Sequence, residues 1–265
     1  MIELLVDANN IVGRFFATKE PGQVADSVVY HIARCGESLK CESVVIAWDD
    51  RRTFRHDLFD GYKATRKKID GIKEARERTK QSLINAGYRS VVSPNHEADD
   101  AIATIAHRNT QDGVRSIIYS GDKDLHQVVA KGVTSQLMSF RFSYGSTECK
   151  WRTFDGPHGM VENLGISASQ WVDYRSLTGD PSDNIKGFPS IGPKRAAEIL
   201  GKWGSIDGYF ESPTSHCVSK SVERSMNAGR SSLELTRQLI RLNTSAPLEP
   251  ADGSVLVAAA EPPPF

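Results

Sequence analysis

Residues 2–7 read IELLVD, an apolar run closed by an acid at position 7. A short run without polar alternation is the mark of a strand buried on both faces, as in a parallel sheet. The pattern returns at Ser43–Asp50 (SVVIAWDD) and at Ser116–Asp124 (SIIYSGDKD), where Asp122 and Asp124 flank the strand end across a turn at Gly121. Helical spacing separates these runs: Val24, Val28, Ile32 and Leu39 predict a helix over Gln23–Lys40, and Ile102, Ala103, Ile105 and Ala106 predict another over about Glu97–Arg108. A short strand near Tyr88–Val92, a short helix Leu125–Val129, and strands Val133–Met138 and Thr147–Trp151 around a hairpin at Gly145 complete this half. Strands alternating with helices predict an α/β domain whose mostly parallel sheet is flanked by helices. In such sheets ligands bind beyond the carboxyl ends of the strands.

Those ends carry Asp7, Asp49 or Asp50, Asp122 and Asp124, and beside them stands the stretch Glu97-Ala98-Asp99-Asp100. Each acid has an ordinary explanation. An Asp after a strand is commonly a turn residue, and acids in a first helical turn favour the helix dipole, with Ser93 as N-cap and Pro94 at the first helical position. Together they are better explained by one acidic pocket. Like charges this close need a cation between them, and oxygen donors without Cys or His suit Mg²⁺ or Mn²⁺.

The bulk numbers fit an ordinary globular chain: 265 residues, 39% hydrophobic, 25% charged and no formal net charge. The charge is unevenly spread. Between Arg51 and Arg89 twelve basic residues face five acids, a net of +7. Cys35, Cys41, Cys149 and Cys217 show no C-x-x-C spacing, which argues against zinc. No secretory signal is visible and no apolar run reaches the roughly 18 residues a membrane span needs. The expectation is a soluble protein of a reducing compartment, without a membrane partner.

From about Gly156 the pattern is helix and loop. Ser169–Leu177 reads as a helix, Gly179–Asn184 as a turn, and Ile185–Lys194 as a Gly/Pro loop leading into the helix Arg195–Leu200. A Gly/Pro turn between helices is commonly only a turn. With these basic residues, however, the stretch 180–200 predicts a helix-hairpin-helix element in which Lys186, Gly187, Gly192, Lys194 and Arg195 are expected to approach DNA phosphates through backbone N–H groups and charge. Further helices are expected at Val218–Ala228 and Leu233–Leu242. Ser245–Phe265 reads as a Pro-rich tail, with Val255–Ala260 as a short appended strand. The expected division is 1–155, 156–244 and 245–265.

The order VDANN, AWDD…FRHDLFDGYKATRK, EADD, SGDKD and GDPSDNIKGFPSIGPKRAAEIL resembles the 5′-nuclease family. That family comprises bacteriophage 5′–3′ exonucleases, flap endonucleases and the N-terminal nuclease domain of bacterial DNA polymerase I, and the resemblance runs from Ile2 to about Thr244. It implies a PIN-like sheet, a helical arch over about 51–84 that admits a single-stranded 5′ end, and a C-terminal helix-3-turn-helix lobe. It further implies two Mg²⁺ ions, with Mn²⁺ as a substitute, and K⁺ at the helix-hairpin-helix. Asp7, Asp49, Glu97, Asp99, Asp100 and Asp122 match the acids nearest the scissile phosphate, and Asp124, Asp180 and Asp183 those of the second metal. Asp49 rather than Asp50 fits the apolar-Ala-aromatic-Asp pattern. Glu97 and Asp99 are expected to act partly through water, and Asp100 as a direct ligand able to bridge two ions.

Tyr62, Lys63 and Arg66 match the family's YK-x-x-R element, and Arg14 and Arg55 its phosphate-contacting basic positions. Phe54, Phe59 and Tyr62 are candidates for stacking on unpaired bases. Ala8 departs from the usual Gly after the first aspartate, which implies a modest loss of activity. The resemblance implies structure-specific cleavage of DNA with a 5′ end, flap or nick, leaving 5′-phosphate and 3′-hydroxyl, by a monomer working in replication or repair. With no polymerase region after residue 265, a stand-alone nuclease of phage or cellular origin is the expectation, acting in the cytoplasm (the host's, if phage-encoded). Two competing readings are a PIN-type ribonuclease, which has no need of the arch or of Asp180–Lys194, and a non-catalytic DNA-binding module.

Overall fold

The computed structural model describes residues 1–129, 133–142, 149–154, 164–212 and 218–253, with side chains described outside 138–142 and 149–154. Contacts divide the chain into two units: Met1–Thr53 with Lys68–Asp155 and Leu242–Phe265, and Phe54–Lys67 with Gly156–Arg241. This departs from the sequence-based division. Phe54–Lys67 groups with the later half because Arg55 and Tyr62 are buried against that half's own backbone and side chains. The expected arch over 51–84 is therefore divided between the units.

In the first unit, β1 (Ile2–Asp7), β2 (Ser43–Trp48), β3 (Arg89–Val92), β4 (Arg115–Tyr119), β5 (Thr134–Phe142), β6 (Cys149–Phe154) and β7 (Glu249–Pro250) form one sheet in the order β6-β5-β4-β1-β2-β3-β7. β1 pairs in parallel with β2 and β4, as do β2 with β3 and β4 with β5; the edge strands β6 and β7 are antiparallel. The period-2 alternation sends Leu4, Val6, Val44, Ile46, Trp48, Ile117 and Tyr119 to one face, packed with α1 (Ala8–Phe16), α2 (Val24–Ser38) and α4 (Ile72–Asn85). Leu5, Val45, Ala47, Val91 and Ile118 face the other way, onto Ala101, Ile102 and Ile105 of α5 (Ala98–Gln111). Both faces are covered, which is why the strands read as unbroken apolar runs.

Several boundaries differ from expectation. β4 stops at Tyr119, because the chain from Ser120 to Lys123 turns and Asp124–Val128 forms a single 3-10 turn. Ser93 and Pro94 do not cap α5. Asn95 adopts a left-handed φ of 61°, which turns the chain and moves the N-cap to Glu97. The tail is not wholly separate, since Glu249–Pro250 pairs with Val91 and Val92. The Gly145 turn and the segment Val255–Ala260 lie outside the described residues. Among the described residues no helix is long and apolar enough to cross a membrane.

The second unit contains α3 (Phe54–Leu58), α6 (Trp171–Thr178), α7 (Pro193–Trp203), α8 (Ile206–Glu211), α9 (Lys220–Gly229) and α10 (Leu233–Ile240). The stretch 180–200 holds one helix instead of two. A bridge from Asp180 to Ile185 closes the turn, and the helical partner of α7 is α6, starting at Trp171. Arg237 on α10 pairs with Asp173 and Asp207 at 2.8 Å, fixing α10 to α6 and α8.

Candidate active site

The strand ends of the first unit gather the acids. Asp7 ends β1 and caps α1, its Oδ1 accepting from Asn10 N–H at 3.0 Å. Its Oδ2 accepts from Ser120 Oγ at 2.7 Å. Burial, then the charges of Asp49 and Asp122, push the Asp7 carboxyl up to about 7, against the hydrogen bonds that favour its anion. Asp99 is likewise raised, by burial first and then by Asp122, Asp7, Glu97 and Asp49. Asp49 accepts from Ala98 N–H at 2.9 Å, tying the end of β2 to the start of α5. Asp50 turns elsewhere, accepting from Arg51 and Asn95 N–H groups, so it shapes the loop.

Glu97 and Asp100 form a reciprocal capping box on α5. Asp100 is fully buried; its Oδ2 accepts from Glu97 N–H and its Oδ1 from Asn243 N–H at 2.8 Å. Both Asp100 oxygens thus accept a backbone N–H, as those of Asp7 accept from Asn10 and Ser120. Asp99 is the member of the stretch that faces Asp7, Asp49 and Asp122 electrostatically, and Asp100 anchors the helix. Ala8 is 1% exposed and its methyl lies in the core with Leu4 and Val6, so it has no free approach to a substrate.

The loop from Ser120 to Asp124 is held atom by atom. Asn10 Oδ1 accepts from Gly121 N–H, Ser120 Oγ from Asp122 N–H and Asp122 Oδ1 from Asp124 N–H. Ser120 and Asn10 were not among the sequence-based candidates; their only signal was adjacency to acids in SGDKD and VDANN. Arg14, exposed on α1, lies over the Tyr119 ring at 5.9 Å and donates to its hydroxyl. Tyr119 in turn meets His31 Nε2 at 2.8 Å.

In the second unit, Tyr62, Lys63, Arg66 and Asp183 come together. Asp183 accepts from Tyr62 Oη at 3.0 Å and from Arg66 Nη2 at 2.5 Å, and Lys63 Nζ stands 4.0 Å away. Lys63 holds a left-handed φ of 56°, about 1–3 kcal/mol of strain for a non-glycine, pinned by its N–H donating to Asp183 O. Tyr62 is 4% exposed with its ring edge-on to His56, so its expected role in base stacking does not hold. Asp180 pairs with Arg175; burial opposes its ionisation, but Ser182 and the Arg175 guanidinium outweigh it and hold the carboxyl low.

Arg55 is a second correction. It is 1% exposed, donates to Leu239 O at 2.8 Å and Arg241 O at 3.0 Å, and lies against Phe54. Such a guanidinium ties α3 to the end of α10 and cannot reach a phosphate. Lys186, Lys194 and Arg195 are exposed around the start of α7, with Gly192 as N-cap and Arg195 donating to Ser190 O. A Cβ on Gly187 would collide with Gly179 N and Leu177 O, so this position admits only glycine.

Burial and mutual repulsion raise the Asp7 and Asp99 carboxyls, a cost that a cation bound among them would relieve. The all-oxygen donors of Asp7, Asp49, Glu97, Asp99 and Asp122 fit a hard divalent cation. Residues 3–153 match the family description "5'-3' exonuclease, N-terminal resolvase-like domain", and residues 166–260 match "5'-3' exonuclease, C-terminal SAM fold". The chain belongs to the 5'-3' exonuclease family. Within that nuclease family it is 32% identical over 255 residues to a thermostable DNA polymerase I of Thermus thermophilus, covering 93% of this chain and 29% of the polymerase. It thus spans under a third of that relative. It is 29% identical over 259 residues to a 5'-3' exonuclease of Mycoplasmopsis pulmonis, covering 93% of this chain and 82% of the other.

Among solved structures, a bacteriophage T5 5'-exonuclease with bound zinc superposes with a TM-score of 0.74 at 22% identity, covering 92% of this chain and 90% of that one. A T5 flap endonuclease in a pseudo-enzyme–product complex with DNA and metal ions gives 0.71 at 21% identity, with the same coverage. These likenesses show a shared fold.

Proposed function

We propose that the chain is a divalent-metal-dependent 5′–3′ exonuclease and flap endonuclease. It hydrolyses DNA near the junction of duplex and 5′ single strand, leaving 5′-phosphate and 3′-hydroxyl ends. One observation carries the reading: Asp7, Asp49, Asp99 and Asp122 converge electrostatically, with the Asp7 carboxyl pushed up to about 7 and Asp99 raised. Stability alone gives no reason to assemble such repulsion at strand ends. Family membership and the DNA and metal ions named for the T5 relative support it.

Mg²⁺ is the proposed resident ion, as a pair, with Mn²⁺ a substitute; when bound it activates water and stabilises charge on the phosphate oxygens. Asp7, Asp49, Glu97, Asp99, Asp100 and Asp122 would hold the first ion; for the second, the family resemblance supplies Asp124, Asp180 and Asp183 from their positions in the sequence. Backbone N–H donors to Asp7 and Asp49, and Ser120 Oγ, keep those carboxylates oriented in advance of binding. Lys63 and Arg66 are proposed to leave Asp183 for a substrate phosphate, bringing positive charge to the reacting group. Arg14 is proposed to contact phosphate, steadied by Tyr119. Lys186, Gly192, Lys194 and Arg195 grip duplex backbone, with K⁺ nearby, and read shape in place of bases. In the overall reaction the P–O3′ bond breaks as a P–O bond to water oxygen forms, and the 3′ oxygen takes up a proton.

We further propose a monomer acting in cytoplasm, in replication or repair, encoded by a phage or a cell. Asp122→Asn tests the reading. It should abolish cleavage of a 5′-flap duplex and leave binding to that duplex within a few-fold of wild type. Unaltered cleavage would sink it.

A further inference from the structure

A side chain outside the acid pocket is hydrogen-bonded to the loop that carries two of its acids. Gln136 lies on β5 opposite Ile118 of β4 and is fully buried. Its amide nitrogen donates to Ser120 O at 3.1 Å and to Asp122 O at 2.5 Å, so both N–H bonds are committed to carbonyls that bracket Gly121. Its amide oxygen lies 2.6 Å from His126 Nδ1. With the nitrogen spent on carbonyls, that oxygen must accept, which makes Nδ1 the protonated nitrogen of His126. His126 is itself only 3% exposed. A glutamine in a buried strand is costly unless every one of its bonds is made, and all three partners are in place.

We infer that Gln136, oriented by His126, is a positioning residue that sets the Ser120–Asp124 loop so that Asp122 and Asp124 present their carboxylates for metal binding. Three other bonds of the loop act on other atoms: Asn10 Oδ1 accepts from Gly121 N–H, Ser120 Oγ from Asp122 N–H and Asp122 Oδ1 from Asp124 N–H. Gln136 grips the two carbonyls with one amide group, and so fixes the rotation of the peptide planes on either side of Gly121. Without it both carbonyls lose that donor, and the loop rotates to recover one. The inference rests on the metal reading of the acid pocket.

The test is Mn²⁺ binding to the full chain by calorimetry, without DNA, beside melting in chelator. Gln136→Leu keeps the volume and removes every bond; it should raise the Kd for Mn²⁺ about tenfold, the usual scale for a group that orients a ligand. His126→Phe removes one donor and should raise it about threefold, with the double variant no weaker than Gln136→Leu alone. Wild-type Mn²⁺ affinity in Gln136→Leu, whatever its melting temperature, overturns the inference. If Gln136→Leu does not fold, unchanged affinity in His126→Phe overturns it. Failure of the unaltered chain to bind Mn²⁺ is a different result, and would overturn the pocket reading itself.

Discussion

Ser120 Oγ donates to Asp7 Oδ2 across 2.7 Å, joining the ends of the adjacent parallel strands β4 and β1. Ser120 is fully buried, and the same oxygen accepts from Asp122 N–H, so one hydroxyl orients two acids from different strands. Ser120→Ala should therefore lower kcat on a flap substrate about tenfold, with duplex binding nearly unchanged. Steady-state kinetics would show this as a fall in kcat at constant KM. A rise in KM alone would contradict it.

The raised acids give a pH dependence whose sign can be worked out. The folded Asp7 carboxyl titrates at about 7, well above its unfolded value, so the unfolded state binds fewer protons between those values and stability falls as pH rises through the window. Burial lowers His31 and His126 to about 4, so their effect is opposite: stability rises with pH from about 4 to about 6.5 and is then complete. Above about pH 6.5 the acids act alone. Thermal melts in chelator should fall from pH 6.5 to about pH 8, and added Mg²⁺ should reverse the fall. A flat profile in chelator would contradict the clustered charge.

Arg55 and Arg14 separate a structural cation from a surface one. Arg55→Ala leaves the Leu239 and Arg241 carbonyls without their donor and empties a buried volume, a loss of about 3 kcal/mol. Arg14→Ala, at an exposed position, should cost under about 1 kcal/mol and weaken DNA binding. Chemical denaturation of both variants, set against their affinities for one duplex, checks the contrast.

Glycines around the loop before α7 should differ just as sharply. Gly187→Ala places a methyl against Gly179 and Leu177 backbone and should destabilise by about 1–3 kcal/mol. Gly192→Ala meets open space at the N-cap of α7 and should cost under about 1 kcal/mol. Melting temperatures measured side by side would decide it.

The sheet was legible because buried parallel strands are apolar throughout, so β1 and β2 could be placed with near-exact starts. The acids at their ends followed from position alone. The cap of α5 was not legible, since it depends on the left-handed turn at Asn95, which moves the start from Ser93 to Glu97. Nor was the division between Asp99 and Asp100. Adjacent acids look alike in sequence, and only the backbone N–H groups of Glu97 and Asn243 show which one turns inward. Arg55 and Tyr62 stood in a basic stretch that reads as surface, and their burial arises from partners more than a hundred residues away. Gln136 carried no signal, being one polar residue in a short strand.

The central claim is a metal-dependent cut at a 5′ junction made by the Asp7–Asp122 pocket. Its most direct test is one flap duplex, labelled at the 5′ end of the flap strand, incubated with the chain and Mg²⁺ and with chelator, and the product length mapped. A single product ending at the junction with Mg²⁺, absent in chelator and absent for Asp122→Asn, is the predicted result. Cleavage that persists in chelator, or no product at the junction with Mg²⁺, would contradict it.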